Sequence, residues 1–231
     1  MTLVLHPRKI LTFLLCIIGF LLFMNCAGII AKYCFQEDFI FGLVPLFDFN
    51  TERNIPTLYS AFALLLASIL LFIISYLQKK SGKKYYDWIG LAGVFMFFAI
   101  DEIASIHEKL TVFFRTTFHT AGILYYAWVI PYAVIAVLMF FIYLKFLLHL
   151  PRKIMILFFV SGTIFICGAM GFELICACCL GTYGQDSVLY ALLYTVEEFL
   201  EMLGVVIFIY TLNLFIVDTY KQLTLTLKNH D

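Results

Sequence analysis

Charge is what this chain has least of. Only 13% of its 231 residues are Asp, Glu, Lys or Arg, while 64% are hydrophobic, whereas a soluble domain carries roughly 25% charged residues. The shortage excludes an ordinary water-soluble domain, and it also excludes the basic face that a nucleic-acid-binding protein needs. Proline is scarce as well, at five residues, so long segments can run as helix without interruption. No glycine-rich phosphate loop, GxSxG elbow or internal repeat is present, and nucleotide folds, elbow-type serine hydrolases and solenoids lose their signatures with them.

What the chain has instead is apolar runs. A bilayer-spanning helix needs roughly 20 mostly apolar residues, and six runs qualify: about residues 10–31, 57–77, 88–106, 122–148, 154–180 and 188–217. The expectation is an all-α, six-helix polytopic membrane bundle forming one domain over residues 1–231. Arg8 and Lys9 precede the first run as in a secretory signal, but its apolar core is too long and no A-x-A cleavage pattern follows, so it is read as a membrane helix.

Orientation follows from the basic residues. Eleven of the fifteen Lys and Arg lie in the two tails, the 79–84 loop and the 145–153 loop, which by the positive-inside rule places both termini in the cytoplasm. The acids are distributed oppositely: only Asp87, Asp218 and Asp231 fall on that side. At about 1.5 Å rise per residue, Glu108, Glu173 and Glu197 reach a similar depth in the outer half, with Asp101 and Glu201 somewhat deeper.

Helical spacing then assigns faces. On a continuous third helix Asp101, Ser105 and Glu108 form one stripe, with Glu102 and His107 about 100° to either side. On the sixth, Glu197 and Glu201 stack at i, i+4 below Tyr190 and Tyr194, while Glu198 turns away. Ser105 and His107 point apart on such a helix, which argues against a serine–histidine dyad within it.

An ionised acid in the bilayer costs about 3 kcal/mol on insertion scales, so intramembrane acids normally face the bundle interior with a partner. Three readings follow. In the first, His107, Glu108, Glu173 and Glu197 bind a divalent metal ion (iron, zinc or manganese), with Asp101 and Glu201 as supporting or proton-transfer groups; the outcome is a metal-dependent membrane enzyme acting on a lipid or other amphiphile. The Glu-x-x-His spacing of di-iron bundles is missing, however. In the second, the acids relay protons or cations in a transporter, although the cytoplasmic halves of the helices offer little polar path. In the third, protonated acids and tyrosines only fix the packing. The spacing also leaves open whether His119 reaches the site.

The surroundings add detail. Residues 32–56 form an outer loop whose apolar middle, FIFGLVPLF, is too short to span and suits an interfacial loop or a lid folded back over the site. Tyr125, Tyr126, Trp128 and Tyr132 gather at the outer end of the fourth helix as interfacial anchors, and Pro131 is expected to kink that helix and open a lateral gap. Cys34 and the run Cys176, Cys178, Cys179 lie near the outer face, where a disulfide is conceivable with no connectivity deducible. Ser161, Gly162, Gly168, Ala169 and Gly171 would let a neighbouring backbone approach just below Glu173.

The segments FDFNTERNIPT, DEIASIHEKL and VEEFLEMLG together resemble those of an uncharacterised family of bacterial multi-spanning membrane proteins. That resemblance implies a bacterial origin and transfers no activity; with the charge distribution it makes an inner-membrane protein with the acidic site toward the outer face the expectation, and the apolar composition makes membrane lipids its expected partners. The multi-histidine zinc constellation of ceramidase-like and progestin-receptor-like membrane hydrolases has no match here.

Overall fold

The computed structural model describes residues 6–220, together with residues 2–3 and 223–224, which pair as a two-residue antiparallel ladder. Every other described element is helical. Lys221, Lys228 and Asp231, used above to orient the chain, lie outside the described residues.

Five helical segments are long and apolar enough to cross a membrane: α1 (Pro7–Phe35), α3 (Ile55–Lys80), α6 (Val129–Leu148), the span Arg152–Tyr183, and α9 (Val188–Tyr220). The short helix α2 (Leu43–Phe47) precedes α3. A further pair, α4 (Tyr86–Ala104) and α5 (Ile106–Phe118), qualifies only when taken together and is bent by 73°. The Arg152–Tyr183 span comprises α7 (Arg152–Ile166), a π-helical turn (Cys167–Phe172) and α8 (Glu173–Tyr183).

The hydroxyl of Tyr33, near the end of α1, donates to the carbonyl of Ser187 just before α9, so these two helices run antiparallel and the Pro7 and Tyr220 ends share one side of the bundle. That side also carries Lys79, Lys80, Lys83, Lys84, Arg152 and Lys153 and is the basic end; the opposite, acidic end holds the turn from α1 into α3.

Helix α9 is the central element. Its buried Val205, Val206, Ile209, Leu212 and Ile216 pack with Ala63, Ala67, Leu71 and Ile74 of α3 and with Leu14, Ile18 and Leu21 of α1. Trp88 of α4 lies on Phe215 with ring centroids 4.7 Å apart. Small residues set the closest crossing: a Cβ at Gly168 would stand 2.9 Å from the Glu197 carbonyl oxygen and 3.0 Å from the Glu201 nitrogen, and one at Gly204 would stand 2.8 Å from the Phe165 nitrogen. In lipid, where helices gain little from the hydrophobic effect, such backbone approach is a main source of packing attraction. The small-residue expectation is met at Gly168 and, from the partner helix, at Gly204.

Three expectations about the elements need correction. The third helix is not continuous: Ser105 adopts φ 49°, ψ 50°, and the chain turns sharply there. The fourth helix starts at Val129 rather than 122, because Gly122–Leu124 forms an isolated 3-10 turn. Pro131 therefore falls in the first turn of α6, where no helical N–H partner is lost, and it produces no kink. Helix α6 leaves most of its apolar surface exposed.

Candidate site at the acidic end of the bundle

The loop leading into α3 is built around two asparagines. Asn25, 2% exposed within the apolar middle of α1, accepts the Phe49 N–H at 2.9 Å and donates to Thr195 Oγ1 of α9 at 2.8 Å. Asn54 caps α3 by accepting the Thr57 N–H at 3.1 Å, and its amide donates to the carbonyls of Asp48 and Thr51. The short helix α2 folds back on α1, where Phe47 meets Phe20 edge-to-face. The loop so pinned carries Glu52 to the cavity.

The break at Ser105 is satisfied from both sides. Asp101 Oδ1 accepts the backbone N–H of His107 at 2.9 Å, acting as a cap for α5, and Lys109 Nζ donates to the freed Ala104 carbonyl at 2.7 Å. The turn swings the imidazole back: His107 Nδ1 stands 3.3 Å from Asp101 Oδ1 and Nε2 stands 3.6 Å from Glu52 Oε1. Both ring nitrogens can donate only as imidazolium. Asp101 Oδ2 accepts the Tyr132 hydroxyl at 2.8 Å, so both of its oxygens are engaged and it acts as a positioning residue for α5 and α6.

A cavity of about 1010 Å³ opens between α4, α6, α7 and α9. Asp101, Glu102, Glu108, Glu173, Glu197, Glu198 and Glu201 all line it, with His107 and Glu52. The π-helical turn delivers Glu173, placing its carboxyl beside that of Glu197. Glu173 accepts the indole N–H of Trp128 at 2.9 Å, and Glu197 accepts the Cys176 thiol at 3.1 Å. Glu102, Glu108, Glu198 and Glu201 receive no hydrogen bond from a described side chain. Toward the basic end the walls become mostly hydrocarbon, with Phe95, Phe98, Met139, Phe158, Phe165 and Phe208, although Tyr143, Ser161 and Thr163 also line it.

Aromatic groups ring the polar end. The hydroxyls of Tyr126 and Tyr190 meet at 2.7 Å; burial, with the Tyr190 hydroxyl beside it, raises the Tyr126 pKa, so it remains a neutral hydroxyl. Arg115 stacks on Tyr125 at 3.8 Å from the ring centroid.

The structure thus brings Asp101, His107, Glu108, Glu173, Glu197 and Glu201 to one cavity but does not arrange them as expected. Glu108 leaves the Asp101 stripe because the helix breaks between them, and it is exposed. His107 has a carboxylate at each ring nitrogen. Among the described residues no three of His, Cys, Asp and Glu are grouped so as to hold a metal ion, so the expected ligand set of His107, Glu108, Glu173 and Glu197 is not assembled. His119 is exposed and does not line the main cavity. All seven cysteines are free thiols; Cys34 and Cys178 are exposed, and Cys176 and Cys179 are buried.

Sequence reasoning missed Asn25 and the roles of Cys176 and Glu52. A lone asparagine in a membrane-length apolar run was the available signal for the first; the other two depend on contacts across helices that spacing does not encode.

A family model matches residues 10–215. The chain belongs to the DUF8692 family, a domain of unknown function. No curated protein and no solved structure matches it. The match is consistent with membership of an uncharacterised family and brings no activity with it.

Proposed function

We propose that this DUF8692 chain is a six-span integral membrane protein of a bacterial inner membrane, with both termini in the cytoplasm, that takes a membrane amphiphile into its cavity and presents the head group to the carboxyl layer. The observation that carries this reading is the shape and polarity of the cavity. At about 1010 Å³ it lies at the upper end of the roughly 300–1,000 Å³ typical of ligand pockets, and it is acidic and aromatic at one end and apolar along the rest. An amphiphile has the same division. Access comes from the bilayer, past the loosely packed α6.

Within this reading Glu102, Glu198 and Glu201 are the carboxyls free to exchange protons with a head group, since no described side chain engages them. Asp101 holds His107 and Tyr132 in place. An ion path is disfavoured, because toward the basic end the cavity walls are mostly hydrocarbon, with Tyr143, Ser161 and Thr163 the polar groups among them and no further carboxylate to relay a cation.

Filling the apolar arm tests the proposal. Gly93 and Gly162 line the cavity, and a Cβ at either meets nothing within 4 Å, so leucines there project into space. The Gly93→Leu, Gly162→Leu variant should fold with unchanged or raised thermal stability while losing the amphiphile that solvent extraction and mass spectrometry recover from the parent protein. Equal recovery from both would remove the basis of the reading.

A further inference from the structure

We infer that the head group this cavity takes is a cationic amine, either a primary or a quaternary ammonium on an alkyl chain. The inference rests on the amphiphile reading above and specifies its ligand.

Charge imbalance is the first ground. Glu102, Glu108, Glu173, Glu197, Glu198 and Glu201 line the cavity, and none forms an ion pair among the described residues. The basic groups that line it are committed elsewhere: His107 lies between Asp101 and Glu52, and the Arg115 guanidinium stacks on Tyr125. An anionic head would add repulsion to this layer, and a neutral sugar would leave the carboxyls without a counter-charge at bilayer depth.

The second ground is the aromatic lining. Tyr126, Trp128, Tyr132, Tyr190 and Tyr194 border the same end of the cavity. The polar edges of three are tied to specific partners, Trp128 to Glu173, Tyr132 to Asp101 and Tyr126 to Tyr190, which fixes the ring planes. Fixed aromatic rings beside carboxylates are the recognition chemistry of alkylammonium groups.

The third ground is an unused hydroxyl. Thr111 lines the cavity, is 7% exposed, and its Oγ1 has no hydrogen-bond partner. Ser60 of α3 also lines the cavity and has an unpartnered hydroxyl. Buried hydroxyls are normally paired, and an ammonium N–H or polarised N–CH₃ group supplies the missing donor.

The test is a three-way competition read by native mass spectrometry. Full-length protein in a polyoxyethylene detergent is incubated with equimolar dodecylammonium, dodecyl maltoside and dodecyl phosphate, and the bound populations are counted. Dodecylammonium should exceed the other two by roughly tenfold, the gain that one or two cation–π and carboxylate contacts supply. Equal populations, or a majority of maltoside or phosphate, would overturn the cationic assignment while leaving the amphiphile reading standing. No bound probe of any kind would defeat the amphiphile reading itself. In the Glu198→Gln, Glu201→Gln variant the ammonium excess should fall toward parity with maltoside binding retained, which also reports folding; an undiminished excess would show that the carboxyl layer does not select the head group.

Discussion

Replacing Gly168 by alanine probes the close approach of the π-helical turn to α9. The added Cβ would meet the Glu197 carbonyl oxygen at 2.9 Å, the Glu201 nitrogen at 3.0 Å and the Leu200 Cβ at 3.0 Å. Two of these are backbone atoms of α9, which cannot rotate out of the way, so the π-helical turn and α9 must separate. Overpacking of this kind costs about 1–3 kcal/mol. Any Gly→Ala change in a helix also gains up to about 1 kcal/mol of propensity, which would mask part of the loss. Gly162→Ala supplies the control: it lies in the same membrane span, and its Cβ meets nothing within 4 Å. Propensity largely cancels between the two variants, so the gap between them is the clash alone, about 1–3 kcal/mol. Thermal unfolding of both in the same detergent reads the gap, at roughly 2–4 °C per kcal/mol for a chain of this size. Because Trp128 donates to Glu173 immediately after the turn, its fluorescence should also shift in Gly168→Ala and not in Gly162→Ala. If the two variants melt together, the close approach at Gly168 does not govern the position of Glu173.

Two further outcomes follow from the site and the topology. Asp101→Ala strips the acceptor from the His107 N–H, the His107 ring and the Tyr132 hydroxyl at once, a loss of about 1–3 kcal/mol, and should speed amide exchange across residues 106–118; exchange confined to wild-type rates would mean that α5 is held by something else. Cys34 is exposed at the acidic end of α1, so a variant keeping only that cysteine should react with a membrane-impermeant maleimide in intact cells. Reaction only after lysis would reverse the proposed orientation.

The carboxyl layer was partly readable from spacing, and its failures have a common cause. Counting 1.5 Å per residue puts Glu173, Glu197 and Glu201 at neighbouring levels, and the three do line one cavity, because α9 is unbroken and level is insensitive to a single extra residue. Facing is far more sensitive. Ser105 leaves helical geometry and turns α5 away by 73°, so the angles assigned to His107 and Glu108 lost their reference, and the histidine closed back on Asp101 instead of pointing to another helix.

What the sequence by itself determined is the solvent and the inventory. Apolar runs of membrane length and their scarce charges are local properties, so helical class, the approximate limits of the spans and the gathering of acids toward one end follow without knowledge of any contact. Tertiary structure decided the chemistry of the site: which nitrogen faces which carboxylate, the seat of Glu52 on a loop pinned by Asn25, the π-helical turn that sets Glu173 beside Glu197, and the cavity beside α6. Each depends on distances between residues far apart in the chain, and a pattern of period 3.6 carries no term for those.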